Sequence, residues 1–154
     1  MKRSAVNIGN FKTLKGREPY QSLPHTLRAI DEQIHISRPF ARQWLKKNGY
    51  NGQGYARLFE LLKSKTHYKH DPPGIELLQS MPSLFLDNYW KVPGTGDCDC
   101  LTITACACML EADLSTGYTL YGDKLTPTHI AADAYIIDNG RPKWVPFDHV
   151  ARSF

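Results

Sequence analysis

The sequence predicts an α+β fold, with a helical N-terminal lobe, one central helix and a C-terminal antiparallel sheet. Three observations predict it. Apolar residues recur at three- and four-residue spacing between about residues 26 and 63, the period of helices with one buried face. The run from Leu101 to Leu110 is apolar and rich in Ala and Cys, as in a helix packed at the centre of a domain. Asn139 and Gly140 form a two-residue hairpin signal between two extended segments. The length, 154 residues, suits one domain with an extension. A 42% hydrophobic share against 22% charged excludes wholesale disorder.

Residues 1–24 lack periodicity, carry Gly9, Gly16, Pro19 and Pro24, and read as an extended basic arm. The remainder, 25–154, divides into a helical lobe over 25–66 and a core over 67–154. From Thr26 to about Ile36, residues Leu27, Ile30 and Ile34 share one helical face. Pro39 opens a second helix at its first turn, with Phe40, Trp44 and Leu45 inward. Lys46 and Lys47 followed by Asn48 and Gly49 end it, cations in the last turn before a glycine stop. A third helix runs from about Tyr55 to Lys63, burying Leu58, Phe59 and Leu62. Phe40, Trp44 and Phe59 read as core packing.

His70 to Gly74 makes a turn, and a short element from Ile75 to Gln79 is ended by Met81 and Pro82. Pro93 to Gly96 is a loop feeding the central helix. Gly117 breaks the chain, Tyr118 to Tyr121 is a short strand, His129 to Ile137 a longer one, and Lys143 to Phe147 its return. The sequence holds no internal repeat and no low-complexity segment.

The net charge of +4 conceals an asymmetry: +10 over residues 1–70 and −6 over 71–154. A basic half meets either an acidic partner, such as nucleic acid, or the acidic half of its own chain. No pattern of a nucleic-acid-binding motif chooses between them. No apolar run approaches the roughly 18 residues of a membrane span. The start, MKRSAVNIGNFKTLKG, lacks the apolar core of a secretory signal. The four cysteines, at 98, 100, 106 and 108, are too tightly grouped to staple distant loops, which points to a reducing compartment. A metal cluster on these four is not expected, because helix positions two apart point about 200° apart. No cofactor is expected.

The chemistry concentrates where Cys98 follows a glycine loop at the start of the central helix. Unpaired N–H groups and the positive end of the helix dipole stabilise a thiolate there, and can also hold an oxyanion. Asp97 is suited to cap the helix. A cysteine nucleophile needs a base, and the base an orienting partner. A hairpin centred between 138 and 139 sets His129 opposite Asp148, and no other histidine–acid pair is so well registered. His149 points to the other side of an extended segment.

Three segments resemble the transglutaminase-like superfamily of papain-like cysteine enzymes. They are Gly96, Asp97, Cys98 and Asp99; the stretch from Thr128 and His129 to Ile136; and Trp144 to Asp148. The segment from His67 to Pro82 resembles the one preceding the GDCDD motif in members encoded by phages and prophages. The resemblance implies a papain-like fold with Cys98 as nucleophile, His129 as base and Asp148 as orienter. Cys100 departs from the pattern, standing where the phage-type motif has a second acid. A side-chain oxyanion donor is not identifiable; Gln79 and Trp90 are candidates by residue type alone.

The expected function is cysteine-dependent acyl chemistry on an amide in a peptide or protein, with water or an amine as acceptor. The expected setting is the cytoplasm of a bacterial host. The alternative is a non-catalytic component of a phage virion or tail, tied by its basic arm to other virion proteins or to packaged nucleic acid.

Overall fold

The computed structural model describes residues 3–4, 12–15, 19–73, 75–122 and 127–149. Its elements are β1 (Arg3–Ser4), β2 (Lys12–Lys15), α1 (Pro19–Lys47), α2 (Tyr55–Lys65), β3 (His67–Tyr68), β4 (Ile75–Leu78), α3 (Met81–Phe85), β5 (Thr95–Gly96), α4 (Cys98–Glu111), β6 (Ser115–Gly122), β7 (Pro127–Asp138) and β8 (Arg141–Phe147). The class is mixed α+β, as the sequence predicts.

Every residue of α4 from Asp99 to Met109 is buried. A helix without a solvent face needs cover on all sides. α1 packs on one flank of α4, and β6 and β7 on the other. The sheet has the order β1-β6-β7-β8, with every neighbouring pair antiparallel. The core gathers Ile30, Ile34 and Leu45 from α1, Leu58 and Leu62 from α2, Ile103 and Met109 from α4, and Tyr118, Ala132 and Phe147 from the sheet. Two polar ties fix α1 to this centre. Arg38 and Arg42 both reach Glu111 at the end of α4, at 3.0 and 2.8 Å. The Tyr118 hydroxyl donates to Asp31 at 2.6 Å.

The structure corrects several expectations. The two helices expected on either side of Pro39 are one, α1, which begins at Pro19 within the supposed arm. Proline removes one helical N–H and costs about 3 kcal/mol in a helix interior. The apolar stripe of Ile30, Ile34, Ala41, Trp44 and Leu45 is buried on both sides of Pro39, and that packing outweighs the local break. Nearby, the Ser37 hydroxyl donates to the Gln33 carbonyl at 2.6 Å and accepts the Met81 N–H at 2.8 Å. Met81 and Pro82 therefore begin a helix, α3, capped by Ser80, instead of merely ending the segment before it. Two further pieces of the arm are strands: β1 pairs with β6, and β2 with β4. Gly117 does not break the chain but lies within β6, opposite Asp133.

The hairpin turns at Asn139 and Gly140, both with left-handed φ (50° and 75°), as a two-residue loop of this type requires. Its ladder sets Asp138 opposite Arg141 and Ala132 opposite Phe147. The turn is thus centred one residue later than expected, between 139 and 140, and His129 and Asp148 are not a ladder pair.

Phe147 ends β8 and is fully buried. The rings of Tyr55 and Phe59 on α2 pack against it at 6.1 and 5.2 Å. It anchors the chain immediately before Asp148. Phe147→Ala is expected to lower unfolding free energy by about 3–5 kcal/mol in urea titrations. Gly94 has φ +80°, and a Cβ there would sit 2.3 Å from the Lys65 carbonyl oxygen. Gly94→Ala is expected to cost about 2 kcal/mol or more by the same measurement.

Candidate active site

The loop before α4 is held from both sides. β3 and β5 pair in parallel, Tyr68 opposite Gly96. The N–H groups of His67 and Lys69 donate to the Gly94 and Gly96 carbonyls, each at 2.9 Å. Gly96 admits no side chain, since a Cβ there would lie 2.7 Å from that of Cys100. Asp97 takes the N-cap position in extended conformation, and its carboxylate accepts the Cys100 N–H at 3.5 Å. Cys98 thus becomes the first residue of α4, half-buried, among the unpaired N–H groups of the first turn.

His129 projects from the early part of β7. Its Nε2 lies 2.6 Å from Asp148 Oδ2. Asp148 reaches it from just beyond the end of β8, where the chain has left the ladder and its side chain is free of strand alternation. Cys98 is the second group that acts on this ring. With Nε2 occupied by the carboxylate, Nδ1 is the ring nitrogen left for the sulfur. The bond to Asp148 foremost, and then the interaction with Cys98, push the His129 pKa up to about 10, against the opposing effect of burial. The ring is therefore an imidazolium at neutral pH. The Tyr121 ring lies 5.8 Å from it and covers one side.

No family model, curated protein or solved structure matches the chain. The functional reading therefore rests on this geometry and on the motif resemblance.

The other three cysteines face different neighbours. Cys100 donates to the Leu77 carbonyl at 2.9 Å, Cys106 faces the Gly117 carbonyl at 3.5 Å, and Cys108 lies 3.8 Å from the Met81 sulfur. Burial pushes all three thiols up, Cys106 to about 12. Asp97, Asp99 and Cys100 bring their ligand-type atoms within 4.8 Å of one another, and the Asp97 charge adds to the upward shift of the Cys100 thiol.

Of the two oxyanion candidates from the sequence, Gln79 is engaged elsewhere, while the Trp90 indole nitrogen is buried without a partner among the described residues. Gln79 is fully buried, and its amide nitrogen donates to the Thr95 carbonyl at 3.3 Å. Trp90 packs under the Lys69 ammonium, 4.5 Å from its ring centre, and against Tyr89. The donors next to the sulfur are the backbone N–H groups that open α4.

Sequence reasoning missed two residues at the site. Tyr68 is 38% exposed, and its hydroxyl lies 3.2 Å from His70 Nδ1. Burial first, and then the charges of Cys98 and Asp97, push its phenol up to about 12, so it stands neutral at the mouth of the site. Only the β3–β5 pairing brings it there, and two-residue strands leave no periodic signal. His149, set aside as facing away, turns inward and lines a crevice with Cys98 and Asp148.

The folded pKa of His129 lies above its ordinary 6.5. The stability it contributes is fully present just below pH 6.5 and is lost as pH rises through about 10. Asp148→Asn is expected to lower that pKa, read by NMR titration of the imidazole. The stability advantage of the native chain over the variant is expected to be greatest near pH 6 and to vanish above about pH 10.

Proposed function

We propose that the chain performs cysteine-dependent acyl transfer on an amide, as a peptidase or amidase of transglutaminase-like, papain-like type. One observation carries this reading: a single imidazole, hydrogen-bonded to Asp148, that also interacts with Cys98 at a helix N-terminus. The packing of α4 against an antiparallel sheet agrees with the architecture that the motif resemblance implies.

The Cys98 sulfur attacks the amide carbonyl. The negative oxygen that forms faces the N–H groups opening α4. His129 gives its proton to the leaving amine, and Asp148 holds the imidazole in place throughout. The acyl group stays on sulfur until water or an amine removes it.

The structural reading, in which the basic arm binds other virion proteins or nucleic acid, receives less support. β1 and β2 spend backbone hydrogen bonds of that arm on β6 and β4 of the same chain. A bacterial cytoplasm remains the setting proposed. Among the described residues no helix is long and apolar enough to cross a membrane.

Incubation with a mixture of peptides and a primary amine tests the activity. Mass spectrometry is expected to show cleaved amides or amine incorporation with the native chain. Cys98→Ala is expected to lower the rate by about 10⁴-fold or more, and Asp148→Asn by about 10²–10⁴-fold. Equal product from native chain and Cys98→Ala would exclude Cys98 as nucleophile.

A further inference from the structure

Along the end of α2 and β3 the chain presents a basic row. Lys63, Lys65 and Lys69 are all exposed, and no acid interrupts the sequence from Lys63 to His70. None of the three lysines forms an ion pair among the described residues. Asp97 and Asp99 are buried at the start of α4, and the Asp71 carboxylate accepts the Leu77 N–H. Glu60 and Asp87 are exposed, on α2 and on the loop after α3, without meeting any of these lysines in an ion pair.

Lys69 is tied to the chain that carries the nucleophile. Its N–H donates to the Gly96 carbonyl at 2.9 Å, and Gly96 stands two residues before Cys98, a span of at most ~7 Å of chain. The charge of Cys98 is felt at the phenol of the adjacent Tyr68. The Lys69 ammonium is also held in place. Its Nζ stands 4.5 Å from the centre of the Trp90 ring, and Tyr89 packs edge-on against Trp90 at 5.0 Å. A ring face engages an ammonium from one side and leaves donors for an anion on the other. The loop that carries Trp90 exposes Leu86, Tyr89 and Val92, three large apolar side chains within residues 86–92. Such side chains scattered singly mean little, but grouped beside a fixed cation they suit a peptide more than a free ion.

Resting on the acyl chemistry proposed above, we propose that this rim binds the peptide substrate beside the attacked amide, that Lys69 is a specificity-determining residue, and that the substrate class is acidic peptides. A carboxylate answers ammonium groups that have no partner, whereas a basic peptide meets like charge. A basic surface with aromatic rings also suits single-stranded nucleic acid. The peptide is favoured because the surface runs through β3 and β5 to Cys98, and a nucleic-acid backbone offers that sulfur no amide.

Matched peptides carrying Glu or Gln, at one position after another on each side of the attacked amide, test this with the full chain. The native chain is expected to prefer Glu about fivefold or more in kcat/KM at one or more positions, through KM. Raising salt from about 0.01 M to about 1 M, which shortens the screening length from ~30 to ~3 Å, is expected to remove most of that preference. Lys69→Gln is expected to bring the Glu/Gln ratio below about two. Lys69→Arg, which keeps a cation that stacks on Trp90, is expected to restore it. Equal turnover of Glu and Gln peptides by the native chain, or a ratio unchanged in Lys69→Gln, would overturn the inference and leave the proposed function standing. The same holds if a single-stranded DNA oligonucleotide binds the native chain but not Lys69→Gln while peptides show no preference for Glu. No Cys98-dependent turnover of any peptide would overturn the proposed function itself, and this inference with it.

Discussion

A fourteen-residue helix with eleven consecutive buried residues has to be enclosed from every direction, and the order of the other elements follows from that demand. α1 closes one flank and the sheet the other. The enclosure leaves only the two ends of α4 near solvent, Cys98 at its start and Leu110 and Glu111 at its finish. Burial on this scale also sorts the thiols. Cys100, Cys106 and Cys108 sit where a thiolate is strongly disfavoured.

The proposed catalytic pair is assembled from two parts of the fold. α4 fixes the sulfur, and the β7–β8 hairpin fixes the imidazole and the carboxylate. The clamp on Phe147 by Tyr55 and Phe59 matters more to Asp148 than the hairpin ladder does. Since the ladder ends at Phe147, the carboxylate position depends on where that ring is anchored. A loss of packing beneath Phe147 therefore reaches the imidazole through one residue of chain.

Much of this was legible in the sequence, for physical reasons that can be named. The central helix shows because a continuous apolar run fits few other roles. The hairpin shows because Asn139 and Gly140 tolerate left-handed φ. Cys98, His129 and Asp148 were each identified, and the structure brings them together, though by a route that local reasoning misjudged. The turn sits one residue later, and the contact forms past the ladder instead of across it. What stayed hidden is non-local. The continuity of α1 through Pro39 depends on packing against distant elements. The β1–β6, β2–β4 and β3–β5 pairings join segments that carry no alternation of their own. Tyr68 and His149 reach the site through such features, the first through β3–β5 and the second through a chain that has left its strand.

The central proposal is that Cys98 is a nucleophile activated by His129. The most direct test is the rate of iodoacetamide alkylation at each cysteine as a function of pH, read by mass spectrometry for the native chain and for His129→Ala. Rapid modification of Cys98 alone at about pH 6, abolished in His129→Ala, is the expected result. A Cys98 that reacts no faster than an ordinary thiol, or at the same rate without His129, would contradict it.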